Sequence, residues 1–203
     1  MARLIHGING PFVGKIGTVV GVMRGDTYYM RSLPRKRTGA PTANEAANRR
    51  KFALAQAWLH PVKGFVRESF KGYHTRSQGF VAAKSYVLKY AFEGEAINPA
   101  LVKVSVGDLP LPGNIKAVLD GKRAIKFTWD VADKHATSQV MLLAYDVDRR
   151  IAWYTLYGNL ESSGGDELLL HGYKGRVHLY VAFVSGDRAR RSDSVYVGVI
   201  EVK

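Results

Sequence analysis

RVHLYVAFVS, residues 176–185, sets Val177, Leu179, Val181 and Phe183 at every second position. Alternation of this kind puts one set of side chains on a single face of a β-strand, so residues 176–185 are expected to be a strand with that set in a core. His178 interleaves with the set and is expected to face solvent or an interface. Similar β-branched and aromatic runs surround it: ALVKVSV at 100–106, NIKAVL at 114–119, AIKFTW at 124–129, SQVMLLAYDV at 138–147, IAWYTLY at 151–157, DELLLHGY at 166–173 and SVYVGVIEV at 194–202. Turn residues separate them. Up to eight short strands in the C-terminal half predict an antiparallel sandwich or barrel.

The N-terminal half has a different texture. GINGPFVGKIGTVVG (7–21) runs through VM into Arg24-Gly25-Asp26 and then TYYMRSL, which reads as two strands joined by a short hairpin turn. Its glycines therefore belong in and beside a strand. A basic connector covers 34–41. Thr42-Ala43-Asn44-Glu45 matches the capping box, so a helix is expected from Ala43 to about His60, stopped by Pro61, with Phe52, Ala55 and Leu59 as its apolar stripe. Further helices are expected over 62–70 and 80–92, the latter with Phe80, Ala83, Val87, Tyr90 and Ala91 on one side. The change of texture places a boundary near residue 96, between a basic module (1–96) and a sandwich module (97–203).

Charge divides the same way. The chain of 203 residues carries a formal net charge of +13, and residues 1–76 hold 14 Lys or Arg against 3 Asp or Glu, a net of +11. A field concentrated at one end attracts polyanions: nucleic acid or an acidic protein surface. Hydrophobic residues make up 46% of the chain, which excludes a disordered tail, and the absence of cysteine excludes disulfides, cysteine-bound zinc and thiol catalysis. No apolar run has the length of a signal peptide or membrane span, so the expectation is a cytoplasmic protein.

Motifs for catalysis fail one by one. A phosphate-binding loop ending at Gly14-Lys15 would need glycine at Asn9 and a hydroxyl at Ile16. A dinucleotide fingerprint lacks its first G-x-G and is followed by a hairpin. Arg24-Gly25-Asp26 spells an integrin-binding triplet, but a hairpin tip accounts for it. The six histidines show no H-E-x-x-H spacing, and Arg150 occupies the position where a calcium loop through Asp146 and Asp148 would need its third oxygen. KGFVRESF (63–70) begins like an RNA-recognition strand, but Val66 and Arg67 break the pattern. No catalytic residue, metal ligand or cofactor is assigned.

Arg35-Lys36-Arg37 and Arg49-Arg50-Lys51 are two three-charge clusters, with Tyr28, Tyr29, Trp58 and Phe65 interleaved along the basic half. Cations suit phosphate contacts and aromatics suit base stacking. Those six residues are the candidate polyanion-binding site, with Arg31 and Lys15 as secondary members. The loop around Arg188, Arg190 and Arg191 is a candidate extension of it.

Two resemblances add to this reading. AIKFTWDV (124–131), with Trp129 and then AYDV (144–147), resembles a fibronectin type III or immunoglobulin-like sandwich. Across nearly its whole length the chain is similar to an uncharacterised bacterial family, a domain of unknown function. The residues that carry this similarity are GINGPFVGKIGTVVG (7–21), YMRSLP (29–34), RRKF (49–52), FTW (127–129), HLYVAFVSGD (178–187) and SDSVYVG (192–198). That resemblance implies no activity, cofactor or site.

The sequence thus predicts an α+β protein: an N-terminal β-hairpin with two or three helices, then an antiparallel fibronectin-like β-sandwich. Its expected role is non-enzymatic, with the basic half engaging a polyanion, nucleic acid first. The alternative is a structural subunit of a larger assembly, such as a filament or phage-like particle, whose cations meet acidic neighbours and whose edge strands self-associate.

Overall fold

The structure, a computed structural model, describes residues 3–4, 10–35, 38–73, 79–121 and 124–203. It is α+β, and the chain divides into two compact units, Met1–Glu45 and Ala46–Lys203.

The first unit is a single antiparallel sheet in the order β1 (Arg3–Leu4), β2 (Phe12–Ile16), β3 (Val19–Arg24) and β4 (Thr27–Ser32). The hairpin expected around Arg24-Gly25-Asp26 is present: Arg24 pairs with Thr27, and Gly25 takes φ +59°, a left-handed conformation that glycine adopts without steric cost. A second two-residue turn, Gly17-Thr18, joins β2 to β3, where Ile16 pairs with Val19. At Gly21 the Phe12 carbonyl and ring lie where a Cβ would stand. Only glycine lets those strands approach so closely.

The second unit begins with most of α1 (Ala43–Leu59), followed by α2 (Lys63–Ser69) and α3 (Gly79–Tyr90). The capping box forms as expected: the Glu45 backbone N–H donates to the Thr42 hydroxyl at 3.3 Å, and the Thr42 N–H donates to the Glu45 carboxylate at 2.8 Å. A small hairpin, β5 (Phe92–Glu93) with β6 (Ala96–Ile97), leads out of the helices. Seven strands complete the unit: β7 (Lys116–Asp120), β8 (Ala124–Thr128), β9 (Gln139–Asp146), β10 (Ile151–Thr155), β11 (Gly165–Leu169), β12 (Gly175–Val184) and β13 (Val195–Val202). They form a three-stranded sheet, β11-β8-β7, and a four-stranded sheet, β10-β9-β12-β13. This is the antiparallel sandwich that the fibronectin-like pattern implied. The run at 100–106 is not one of its strands; Pro99–Leu101 is a single 3₁₀ turn capped by the Asn98 side chain.

One core lies between the two sheets. Val177, Leu179, Val181 and Phe183 of β12 meet Ile125, Phe127 and Trp129 there, and the Trp129 ring stands edge-on to Phe183 at 5.3 Å. The Trp129 indole N–H donates to the Glu161 carbonyl at 2.7 Å, so burying it leaves no polar group unpaired.

A second core covers the opposite face of the four-stranded sheet. Met141, Leu143 and Tyr145 of β9 and Tyr180, Ala182 and Val184 of β12 pack there against Trp58, Phe65, Val66 and Val87 of the three helices. Hydroxyls of Tyr145 and Tyr180 donate to the carbonyls of Trp58 at 3.0 Å and Pro99 at 2.7 Å, tying this layer to the sheet. The helices therefore share a hydrophobic core with the sandwich, and the division of the chain falls between residues 45 and 46 instead of near 96. The expected helix stripes shift accordingly. Helix α1 buries Ala55, Trp58 and Leu59, whereas Phe52 is 49% exposed beneath the Lys84 ammonium at 4.0 Å; Tyr90 of α3 also points to solvent.

Candidate functional site

Strand register sorts the side chains of the N-terminal sheet onto two faces. Residues directly opposite across a ladder share a face, and neighbours along a strand alternate. Lys15 is opposite Val20, and Val20 is opposite Arg31, so Lys15 and Arg31 flank a valine in one row, roughly 10 Å apart at two strand spacings. Arg24 and Tyr29 lie on that face too. The other face carries Phe12, Ile16, Val19, Met23, Tyr28 and Met30, of which Met30 is 70% and Met23 51% exposed. Among the described residues of this unit only Gly21 is buried. The sheet is amphipathic, and the described residues of the unit supply no second layer to cover either face.

Arg35 is exposed just after β4. Neither it nor Lys15, Arg24 or Arg31 has a carboxylate partner among the described residues. Lys36 and Arg37 lie outside the described residues.

The second predicted cluster does not form one patch. Successive residues on a helix point about 100° apart, so Arg49, Arg50 and Lys51 diverge around α1. Arg49 is exposed and has no ion pair among the described residues, Arg50 pairs with Glu95 at 3.2 Å, and the Lys51 ammonium lies 5.4 Å from the centre of the Phe92 ring.

The loop after β12 behaves differently from a binding loop. Arg190 is paired with Asp108 at 3.2 Å, and Arg191 is buried. The Arg191 guanidinium donates to the Glu68 carboxylate at 2.5 Å, to the Glu68 carbonyl at 3.1 Å and to the Ala189 carbonyl at 3.1 Å. It is a structural latch between this loop and α2, so Arg190 and Arg191 do not extend a basic surface. Burial pushes the Glu68 carboxyl up, but hydrogen bonds from Arg191 and Tyr157 and the charges of Lys71 and Arg191 outweigh it and hold it below the ordinary value. Arg188 alone of the three lies over an aromatic ring, Tyr157, at 4.1 Å.

Several other titratable groups have structural partners. Asp146 accepts the Arg149 backbone N–H at 2.8 Å and the Tyr173 hydroxyl, and Asp148 pairs with Arg176 at 3.3 Å, as turn carboxylates do. His178 lies 2.9 Å from the Tyr196 hydroxyl, and burial followed by the Arg176 charge lowers its pKa. No group of three His, Asp or Glu able to hold a metal occurs among the described residues. No helix among them is long and apolar enough to cross a membrane.

Sequence reasoning missed a groove of about 350 Å³ lined by Leu54, Trp58, Ile97, Tyr145, Val147 and Arg150. Its walls come from α1, β6, β9 and the turn after β9, so no local motif announces it. It is mostly apolar, with Arg150 and Glu95 as its charged groups.

The geometry defines a class before it defines a role: an α+β protein in which an amphipathic N-terminal sheet precedes a helix-covered antiparallel β-sandwich. The chain belongs to a family of unknown function, DUF6266, whose pattern matches residues 11–198. Neither a curated protein nor a solved structure matches it.

Proposed function

We propose that this is a non-enzymatic binding protein whose basic N-terminal part engages a polyanion, nucleic acid being the first candidate. The observation that carries the reading is the set of unpaired cations on one face of the N-terminal sheet. Lys15, Arg24, Arg31 and Arg35 of the first unit have no carboxylate partner among the described residues, and the first three share one sheet face; in the second unit Arg50, Lys71, Lys103, Arg176, Arg190 and Arg191 lie against a carboxylate, while others such as Arg49 do not. Cations already paired contribute little to attracting a phosphate; a row of unpaired ones on a sheet face is available to it. Tyr29 on the same face supplies a ring for stacking on a base.

The test is binding of the nuclease-treated protein to labelled duplex and single-stranded oligonucleotides across a salt series. For duplex DNA, log K should fall with log salt by roughly 0.9 for each phosphate neutralised. The pair Lys15→Gln and Arg31→Gln should then flatten that slope by roughly 2 and weaken binding to all sequences alike. An unchanged slope would refute the reading.

A second reading, a structural subunit of a larger assembly, is favoured by a separate observation. The opposite face of the same sheet is apolar and exposed, and β4 is an edge strand that among the described residues pairs only with β3. Acidic neighbours would then take the place of phosphate on the basic face.

A further inference from the structure

We propose that β4 pairs antiparallel with β4 of a second copy of this chain, about a two-fold axis through Tyr29. This deepens the assembly reading and does not depend on polyanion binding. All six residues of β4, Thr27–Ser32, are exposed, and one side of its backbone has no ladder partner among the described residues. Exposed edges of this length usually carry a device against pairing: proline, lysine, a bulge or an inward charge. β4 has none of the first three, its six pairs with β3 run without a register shift, and its single charge is Arg31. By contrast β7, an edge of the sandwich, carries Lys116 and Asp120 at its ends.

The register follows from the faces. A two-fold axis perpendicular to the sheet keeps each residue on its own face, and residues directly opposite share a face. Residue i must therefore meet a partner of the same parity, so the axis passes through a residue and not between two. An axis through Tyr29 sets Tyr28 opposite the partner's Met30 and Met30 opposite the partner's Tyr28. Two aromatic–thioether contacts then form on the apolar face. On the basic face Thr27 meets the partner's Arg31, and no like charges are opposed. An axis through Met30 would place Tyr28 opposite the partner's Ser32, losing both of those contacts. The paired sheet would have eight strands, one continuous apolar face, and the basic rows of both copies on the other.

The chain has no cysteine, so single-cysteine variants report the register directly. Tyr29→Cys places two thiols across the axis, at a Cα separation of about 4.5–5.5 Å that a disulfide spans. Met30→Cys places them on a diagonal at about 7–8 Å, beyond its reach. In nucleic-acid-free protein at about 0.5 M salt, where phosphate contacts are screened, mild oxidation should dimerise Tyr29→Cys and leave Met30→Cys monomeric. Sedimentation of the wild type in the same buffer should show a concentration-dependent dimer. Tyr29→Lys, which opposes two ammonium groups on the axis, should weaken it by about tenfold while leaving the urea midpoint of the sandwich unchanged. Cross-linking at neither cysteine, at both equally, or at Met30→Cys alone would overturn the proposal, as would a wild type that stays monomeric. None of those results would bear on oligonucleotide binding, which is read separately at low salt.

Discussion

Replacing Arg191 by alanine tests whether the helices and the sandwich are held as one unit by a buried ion pair. The Arg191 side chain is 4% exposed and that of Glu68 20% exposed, so their attraction is little screened by water. Breaking a buried pair costs about 3–5 kcal/mol, chiefly because the remaining charge is left uncompensated. Here Glu68 keeps Lys71 at 4.0 Å and some solvent, which puts the cost near the lower end, about 3 kcal/mol. For a chain of this size that corresponds to a fall in Tm of roughly 6–12 °C. Glu68→Gln should cost at least as much, because it strands the more deeply buried guanidinium. The pH dependence has a definite sign. The folded state lowers the Glu68 pKa, so the stability it adds is present above the ordinary carboxylate value and disappears as pH falls through the folded value. The gap between wild type and Arg191→Ala should therefore be widest near neutrality and narrow below about pH 4. Equilibrium urea unfolding followed by tryptophan fluorescence, repeated across pH, reads both quantities. A gap under about 1 kcal/mol at neutral pH, or one that does not change on acidification, would refute the argument.

Three further outcomes are expected. Tyr145 is held protonated by burial, which pushes its phenol up to about 12, so it should be absent from the absorbance titration until the protein unfolds; Tyr145→Phe removes its bond to the Trp58 carbonyl and should cost about 1–2 kcal/mol in urea unfolding. Gly21→Ala forces a Cβ onto the Phe12 carbonyl and should open the N-terminal sheet to trypsin at Arg24 and Arg31, with the unfolding midpoint of the sandwich unmoved. Thr42→Ala removes one half of the capping box and should reduce stability by about 1 kcal/mol, seen as a small loss of helical circular dichroism on warming.

Several features were legible because short-range rules govern them. The Arg24-Gly25-Asp26 turn, the Thr42–Glu45 cap and the inward set Val177, Leu179, Val181 and Phe183 each depend on a handful of adjacent residues, and the structure has all three. The position of the helices was harder to see, although a trace of it is present. VMLLAY in β9 is apolar at both parities, which is how a strand buried on both faces reads. Its even-numbered residues Val140, Leu142 and Ala144 face the other sheet, and its odd-numbered Met141, Leu143 and Tyr145 face the helices. A boundary near 96 ignored the second set. Among the cations, composition could not separate Arg191, buried on Glu68, from Lys15 and Arg31, unpaired on a sheet face, because the carboxylate that decides the matter lies 123 residues away.

From sequence alone, then, come the α+β class, the hairpin, the capped helix, the strand-rich C-terminal half and the excess of positive charge near the N-terminus. All of these follow from local backbone preferences, side-chain periodicity and counting. Only the tertiary structure decided that the helices and the sandwich share a core, which arginines are latches, and that Lys15 and Arg31 stand in one row across a sheet whose edge strand is exposed. Burial, ion pairing and cross-strand register arise between residues far apart in the chain, and no rule based on sequence spacing carries that information.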